Sequence, residues 1–165
     1  PAVKTANDRE AIRTAILDGR IDVVATDHAP HTKEEKNNSY FQAPSGGPLV
    51  QHALMAMVDL VHDGLLPIEK VADLMAHRVA RLFRMTDRGF LRPGQKADIV
   101  LVHPNDPWTI KGSNIMSKCG WSPFTGHTFK SRVRGTWVNG THVWNGNNIL
   151  TTHGNHAGSR LTFNR

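Results

Sequence analysis

Apolar residues recur at helical spacing through the first half of the chain, where positions three and four apart share one face. This spacing predicts a helix over residues 7–18, capped by Asn7 or Asp8 and ended by a glycine. It also predicts a helix over residues 49–63. A further helix is predicted to begin at Pro67, because proline is favoured at the first helical position.

Shorter runs of apolar and β-branched residues predict strands. Residues 21–26 are typical of a parallel strand buried on both faces, and such a strand needs neighbours that we do not find elsewhere in the sequence. A long polar loop over residues 28–47 follows this strand. Later alternation predicts a strand over residues 97–102 and a hairpin over residues 129–144, which turns at Asn139-Gly140. The order predicts an α/β unit followed by a small β unit.

Composition and charge exclude several classes of protein. The 165 residues are 39% hydrophobic and 21% charged, which are globular values, and no apolar run is long enough to span a bilayer. The net charge is +6, and residues 107–165 hold seven Lys or Arg and no Asp or Glu. These basic residues are scattered through strand-like alternation, which argues against nucleic-acid binding. The single Cys119 fits a reducing compartment.

A carboxylate and two imidazoles stand where the first predicted strand ends. In α/β barrels the reactive groups lie at the C-terminal ends of strands, which is where Asp27, His28 and His31 would be. These three side chains could be metal ligands. Alternatively, Asp27 caps the loop and both histidines are solvated, because ligands so close together on one turn rarely converge. The residues themselves leave both interpretations open.

Residues 26–31 read Thr-Asp-His-Ala-Pro-His, which resembles the last metal-ligand motif of the dihydroorotases, members of the amidohydrolase superfamily. Residues 78–83, 89–102 and 122–126 resemble further segments of that family, and the likeness covers roughly residues 1–144. The resemblance implies an α/β fold, namely the C-terminal fragment of a metal-dependent (β/α)8 TIM barrel with a small β-sandwich domain.

The resemblance also implies a division of the chain into three parts. Residues 1–88 would be the last strand and helices of the barrel, and residues 89–144 would be a segment of the β-sandwich. Residues 145–165 would be a flexible C-terminal tail. His153 and His156 in this tail form an H-x-x-H pair, which we interpret as a flexible feature rather than a metal site.

The chemistry implied by the resemblance is the reversible, zinc-dependent cyclisation of N-carbamoyl-L-aspartate to L-dihydroorotate in de novo pyrimidine biosynthesis. Asp27 would ligate the more buried of two zinc ions and would carry the proton to the departing amide nitrogen. His31 would hold the substrate carboxylate, whereas His28 would only stabilise the loop. Further substrate contacts would come from the backbone near this motif and in the following loop, at Ala29, Pro44, Gly46 and Gly47.

The family's other metal ligands would lie before Pro1, so this chain alone is expected to be inactive. The resemblance implies a cytoplasmic protein, a homodimer at full length and a possible association with aspartate transcarbamoylase, with no nucleic acid or membrane as partner. Two alternatives stay open. One is another cyclic amidase, such as a dihydropyrimidinase (hydantoinase) or an allantoinase, against which His31 argues. The other is a non-catalytic dihydroorotase-like scaffold subunit.

Overall fold

The computed structural model describes residues 3–150 and 157–164. Its helices are α1 (Ala6–Leu17), α2 (Lys33–Lys36), α3 (Ala53–His62), α4 (Ile68–Ala72) and α5 (Arg78–Leu82), with a π-helical turn (Asp73–His77) between α4 and α5 and a 3₁₀ turn (Gly112–Asn114). Its strands are β1 (Ile99–His103), β2 (Trp108–Thr109), β3 (Thr128–Phe129), β4 (Arg132–Val138) and β5 (Thr141–Trp144). Within the described residues, no helix is long and apolar enough to cross a membrane.

The first helix forms close to its predicted position, but a different residue caps it. The side chain of Thr5 accepts a hydrogen bond from the Asp8 N–H at 3.1 Å, and the Asp8 carboxylate accepts one from the Thr5 N–H at 2.9 Å. This reciprocal capping box satisfies two backbone donors that a helix end leaves free. The helix therefore begins at Ala6, after Thr5, rather than after Asn7 or Asp8.

The predicted strand over residues 21–26 is wrong as a strand of this structure. The segment pairs with no strand among the described residues, and its Val24 N–H instead donates to the Leu74 carbonyl at 3.3 Å. The side chains of Ile21 and Val24 still pack against a buried apolar cluster. A strand requires a neighbouring strand for its hydrogen bonds, and the sequence analysis found no neighbour for this segment.

The second predicted helix begins at Ala53 rather than at residue 49. Residues 50–52 form a turn instead, and the N–H groups of Leu49 and Val50 donate to the ring of His28. Helix α3 then lies between two apolar clusters. One cluster contains Ile16, Met57, Leu66, Val71 and Leu74, and the other contains Met55, Val58, Ile110 and Phe129. The long predicted loop also contains a helical turn, α2.

The β unit contains two antiparallel ladders. Strands β1, β4 and β5 form one sheet in the order β1-β4-β5, and β2 pairs with β3. The Asn139-Gly140 hairpin turn is confirmed, with φ angles of +49° and +82° that suit these two residue types. Phe129, however, lies in β3 opposite Trp108 and not in the hairpin, which starts at Arg132. A complete β-sandwich remains an expectation.

The C-terminal segment over residues 157–164 is mostly exposed, yet backbone hydrogen bonds attach it to the end of the helical part. The Thr86 N–H donates to the Thr162 carbonyl at 3.2 Å, and the Asn164 N–H donates to the Arg84 carbonyl at 2.9 Å. Residues 157–164 are therefore poorly packed, but their backbone is held to the helical part of the chain. His153 and His156 lie outside the described residues.

Candidate functional site

The candidate motif begins at Asp27, which directly follows the extended segment. Asp27 is exposed and has a φ angle of +45°, in the left-handed region that few residues other than glycine adopt. Aspartate tolerates this conformation better than most residues. The turn at Asp27 ends the extended segment and starts the loop that carries the two histidines.

His28 stabilises the loop, as predicted. Its Nδ1 accepts hydrogen bonds from the Leu49 N–H at 3.1 Å and from the Val50 N–H at 3.3 Å. A ring nitrogen that accepts bonds carries no proton, so these contacts fit the tautomer with its proton on Nε2. Because its acceptor is used in this way, His28 is a structural residue of the site.

Ala29 lies directly against the glycine pair of the following loop. Its N–H donates to the Gly47 carbonyl at 3.1 Å. Gly46 has a φ angle of +93°, and a Cβ placed there would lie 2.6 Å from the Ala29 Cβ. Only glycine allows so close an approach. The structure thus brings together three of the residues predicted to contact substrate, although they come from two separate loops.

His31 follows one residue after Pro30 and is half-buried. Its Nδ1 lies 3.5 Å from the Glu35 carboxylate, which forms a salt bridge when the ring is protonated. The same carboxylate accepts the Thr32 N–H at 2.7 Å in the capping box of α2. The short helix α2 therefore fixes an acidic group beside the imidazole.

Lys36 is a residue of the site that the sequence did not reveal. Its Nζ donates to the Pro44 carbonyl at 2.6 Å and to the Gly46 carbonyl at 3.0 Å. The lysine thereby joins the end of α2 to the glycine-containing loop. The sequence showed only a mixed run of charges from Lys33 to Lys36, and such a run is usually a solvated helix face.

Trp121 is a second residue of the site that the sequence did not reveal. Its Nε1–H donates to the His31 carbonyl at 2.7 Å. A Cβ on Gly47 would lie 3.6 Å from the Trp121 ring, so the indole lies beside the Gly46-Gly47 loop as well. Nothing in the local sequence indicates this hydrogen bond, because its two partners are 90 positions apart in the chain.

A buried histidine supports the segment that carries Trp121. His52 is 1% exposed, and its Nδ1 shares a hydrogen bond of 3.1 Å with the hydroxyl of Ser122. Burial lowers the pKa of His52, because desolvation disfavours the charged ring. Its ring lies among Trp108, Phe124 and Phe129, with the Phe129 ring stacked at a centroid distance of 5.9 Å.

The donor set for a metal ion is incomplete in this chain. No group of three or more His, Cys, Asp or Glu side chains able to hold a metal exists among residues 3–150 and 157–164. Catalytic zinc takes three or more protein ligands, so Asp27 alone fits only as one member of a larger set. His28 is removed from that set because its Nδ1 already accepts two hydrogen bonds.

Residues 12–144 match the amidohydrolase family. The chain is 42% identical over 154 residues to a dihydroorotase of Halobacterium salinarum, covering 93% of this chain and 36% of that protein. It is 38% identical to a dihydroorotase of Clostridium acetobutylicum, covering 87% of this chain and 34% of that protein. This chain therefore spans about a third of the length of the curated relatives it matches.

Solved structures show the same fold. The L-hydantoinase (dihydropyrimidinase) of Arthrobacter aurescens superposes with a TM-score of 0.85 at 26% identity, covering 92% of this chain and 35% of that one. The D-hydantoinase (dihydropyrimidinase) of a Thermus species gives a TM-score of 0.84 at 23% identity, covering 90% of this chain and 34% of that one.

Proposed function

Because the chain belongs to the amidohydrolase family, we propose that it is the C-terminal part of a dihydroorotase and supplies one side of the active site. The reaction is the zinc-dependent, reversible cyclisation of N-carbamoyl-L-aspartate to L-dihydroorotate, a cytoplasmic step of pyrimidine biosynthesis. One observation carries the proposal: Ala29 is held against Gly46 and Gly47, in the turn that runs from the exposed Asp27 to His31. The similarity to named dihydroorotases supports it.

Asp27 is the proposed proton carrier. In the hydrolytic direction, the oxygen of a water attacks the ring carbonyl carbon and the bond from that carbon to the ring nitrogen breaks. The Asp27 carboxylate takes one proton from the water and delivers it to the departing nitrogen, which becomes the NH2 of the carbamoyl group. The new carboxyl group releases the second proton to solvent and becomes a carboxylate. The exposure of Asp27 leaves its oxygens accessible to both partners.

His31 and the two loops are the proposed binding groups for the substrate. A protonated His31 ring would pair with the substrate carboxylate as a charge-assisted hydrogen bond. The carbonyls of Pro44 and Gly46 already accept from Lys36, and the Ala29 carbonyl accepts from the His31 N–H at 3.0 Å. A carbonyl oxygen has two lone pairs, so each can accept a substrate N–H as well.

Asp27 is also the proposed zinc ligand from this chain, and the other ligands would come from elsewhere in the longer polypeptide. The donor chemistry fits, because a carboxylate oxygen is an ordinary zinc ligand. Zinc, when bound, supplies polarisation of the carbonyl and a lower pKa of the attacking water. The contribution of this chain would be the carboxylate, the substrate-binding loops and their exact spacing.

Hydrolysis of dihydroorotate with added zinc tests the proposal, in the 165-residue chain and in a polypeptide extended on its N-terminal side. We expect activity only in the longer protein. In that protein, Asp27→Asn should lower kcat by about a hundredfold to ten-thousandfold, the usual contribution of a positioned acid or base. Asp22→Asn is the matched control, because it removes an exposed carboxylate five residues earlier. Equal activity in Asp27→Asn and the control would refute the assignment.

The solved hydantoinases favour a second candidate, a cyclic amidase that acts on dihydropyrimidines. Dihydroorotate carries a carboxylate and dihydrouracil does not, so the two substrates separate the candidates. In a dihydroorotase, His31→Ala should raise KM for dihydroorotate and make the enzyme no worse with dihydrouracil. A protein that prefers dihydrouracil from the outset is a dihydropyrimidinase.

The proposed partners are a second copy of the full-length protein and aspartate transcarbamoylase. Light scattering on the full-length protein measures the first, and co-sedimentation with purified aspartate transcarbamoylase measures the second. Co-sedimentation together with no activity on either cyclic amide would support the scaffold alternative instead.

A further inference from the structure

We propose that Trp121 is a positioning residue of this site, because its indole holds the His31 loop against the Gly46-Gly47 loop and so sets where the His31 ring meets the substrate carboxylate. This inference rests on the proposed function. Trp121 itself would touch no reacting atom. It would act through His31, and its loss would weaken substrate binding rather than the proton transfer at Asp27.

The first contact is the hydrogen bond from the indole. The Trp121 Nε1–H donates to the His31 carbonyl at 2.7 Å, which is short for an N–H···O bond. The His31 N–H donates to the Ala29 carbonyl at 3.0 Å. Both backbone polar groups of His31 are therefore engaged, and the path of the chain at this residue is fixed from two sides.

The second relation is the proximity of the indole ring to the other loop. A Cβ built on Gly47 would stand 3.6 Å from Cη2 of Trp121, so the ring lies beside this glycine with space for no more than a methyl group between them. Gly47 in turn accepts the Ala29 N–H at 3.1 Å. The indole is thus hydrogen-bonded to the His31 loop and lies next to the Gly46-Gly47 loop, the two loops that the proposed substrate would contact.

The backbone that carries Trp121 is itself anchored. The hydroxyl of Ser122 shares a 3.1 Å hydrogen bond with the buried His52 and accepts the Phe124 N–H at 3.1 Å. The Trp121 carbonyl accepts from the Cys119 thiol at 3.7 Å. A positioning group must have a fixed orientation of its own, and this anchoring provides it.

Trp121→Phe in the full-length protein tests the inference, because phenylalanine keeps an aromatic ring and removes the N–H. KM for dihydroorotate should rise about fivefold to tenfold, the effect of one lost hydrogen bond, with kcat changed by less than about twofold. Trp137→Phe is the matched control rather than Trp108→Phe, because the Trp108 ring packs against His52. Trp137 lies in β4, where its ring stacks on His142, and its substitution should leave KM unchanged. An unchanged KM in Trp121→Phe, or equal rises in both variants, would overturn the inference.

A double-mutant cycle with His31→Ala separates positioning from general damage. If Trp121 acts through His31, Trp121→Phe should have no further effect on KM once the His31 ring is gone. Additive effects of the two substitutions would contradict the inference, because they would mean that Trp121 contributes to binding without His31.

A readout without substrate keeps this inference separate from the proposed function. In the full-length protein with isotopically labelled histidine, Trp121→Phe should shift the His31 ring signal, identified by its loss in His31→Ala. Trp137→Phe, whose indole stacks on His142, should leave the His31 signal in place. If the parental protein fails to hydrolyse dihydroorotate, the proposed function fails, and this signal alone decides the positioning role. An unmoved His31 signal in Trp121→Phe would then overturn it.

Discussion

Gly46→Ala is the substitution that most directly tests the contact between the two loops. The new Cβ would lie 2.6 Å from the Ala29 Cβ, and a methyl group that short cannot move away without its backbone. The φ angle of +93° adds strain, since the left-handed region costs an L-residue about 1–2 kcal/mol. Overpacking adds about 1–3 kcal/mol. We therefore expect a loss of about 2–5 kcal/mol in the free energy of unfolding.

Gly94→Ala isolates the backbone component of that loss. Gly94 has a similar φ angle of +85°, but a Cβ there would meet no atom within 4 Å. Its substitution should cost only the strain of about 1–2 kcal/mol. Urea unfolding followed by circular dichroism gives both values, and their difference is the cost of the contact with Ala29.

Ala29→Gly should rescue the Gly46→Ala variant, because it removes the methyl group that the new Cβ would strike. In the double variant Ala29→Gly, Gly46→Ala, most of the overpacking cost should disappear, while the backbone strain should stay. If Gly46→Ala were no more destabilising than Gly94→Ala, the two loops would not pack as described, and the candidate site would lose its geometric basis.

Two further predictions concern the residues that support the site. Lys36→Met keeps the aliphatic stem but removes both bonds to the loop carbonyls, so it should lower the free energy of unfolding by about 1–2 kcal/mol. Lys33→Met, at an exposed position on the same helix, should have little effect, and urea unfolding of both variants measures the difference. Burial lowers the pKa of His52 below the usual 6.5, so the unfolded chain binds a proton at this histidine more readily than the folded protein does. The contribution of neutral His52 to the free energy of unfolding is therefore complete above pH 6.5 and is lost as the pH falls towards the pKa of the folded state. His52→Phe should flatten this fall in urea midpoints measured from pH 7.5 to 5.5, while substitution of the exposed His103 by Gln should leave the His52 contribution intact.

Local signals in the sequence predicted the elements that depend on local chemistry. The turn at Asn139-Gly140 is confirmed because its positive φ angles are a property of these two residue types. The first helix is confirmed within a few residues, although Thr5 was missed as its cap. The glycine pair was predicted to allow close backbone approach to substrate, but its packing against Ala29 was not predicted.

Contacts between distant segments could not be predicted in the same way. Nothing near Trp121 in the sequence distinguishes it from an indole of a hydrophobic core, and its partner lies in another part of the fold. Residues 21–26 illustrate the opposite limit. Their β-branched composition predicts a strand, but a strand exists only with a partner, which the described residues do not provide.

The site depends on both halves of the chain. Two of its segments, the His31 loop and the Gly46-Gly47 loop, come before residue 89, and the third, Trp121, comes from the β unit. The boundary between the halves is itself braced by Arg88, which is 8% exposed and pairs with Asp98 at 2.7 Å. The proposed positioning role of Trp121 therefore predicts that a substitution in the β unit can alter substrate binding through His31 without touching substrate.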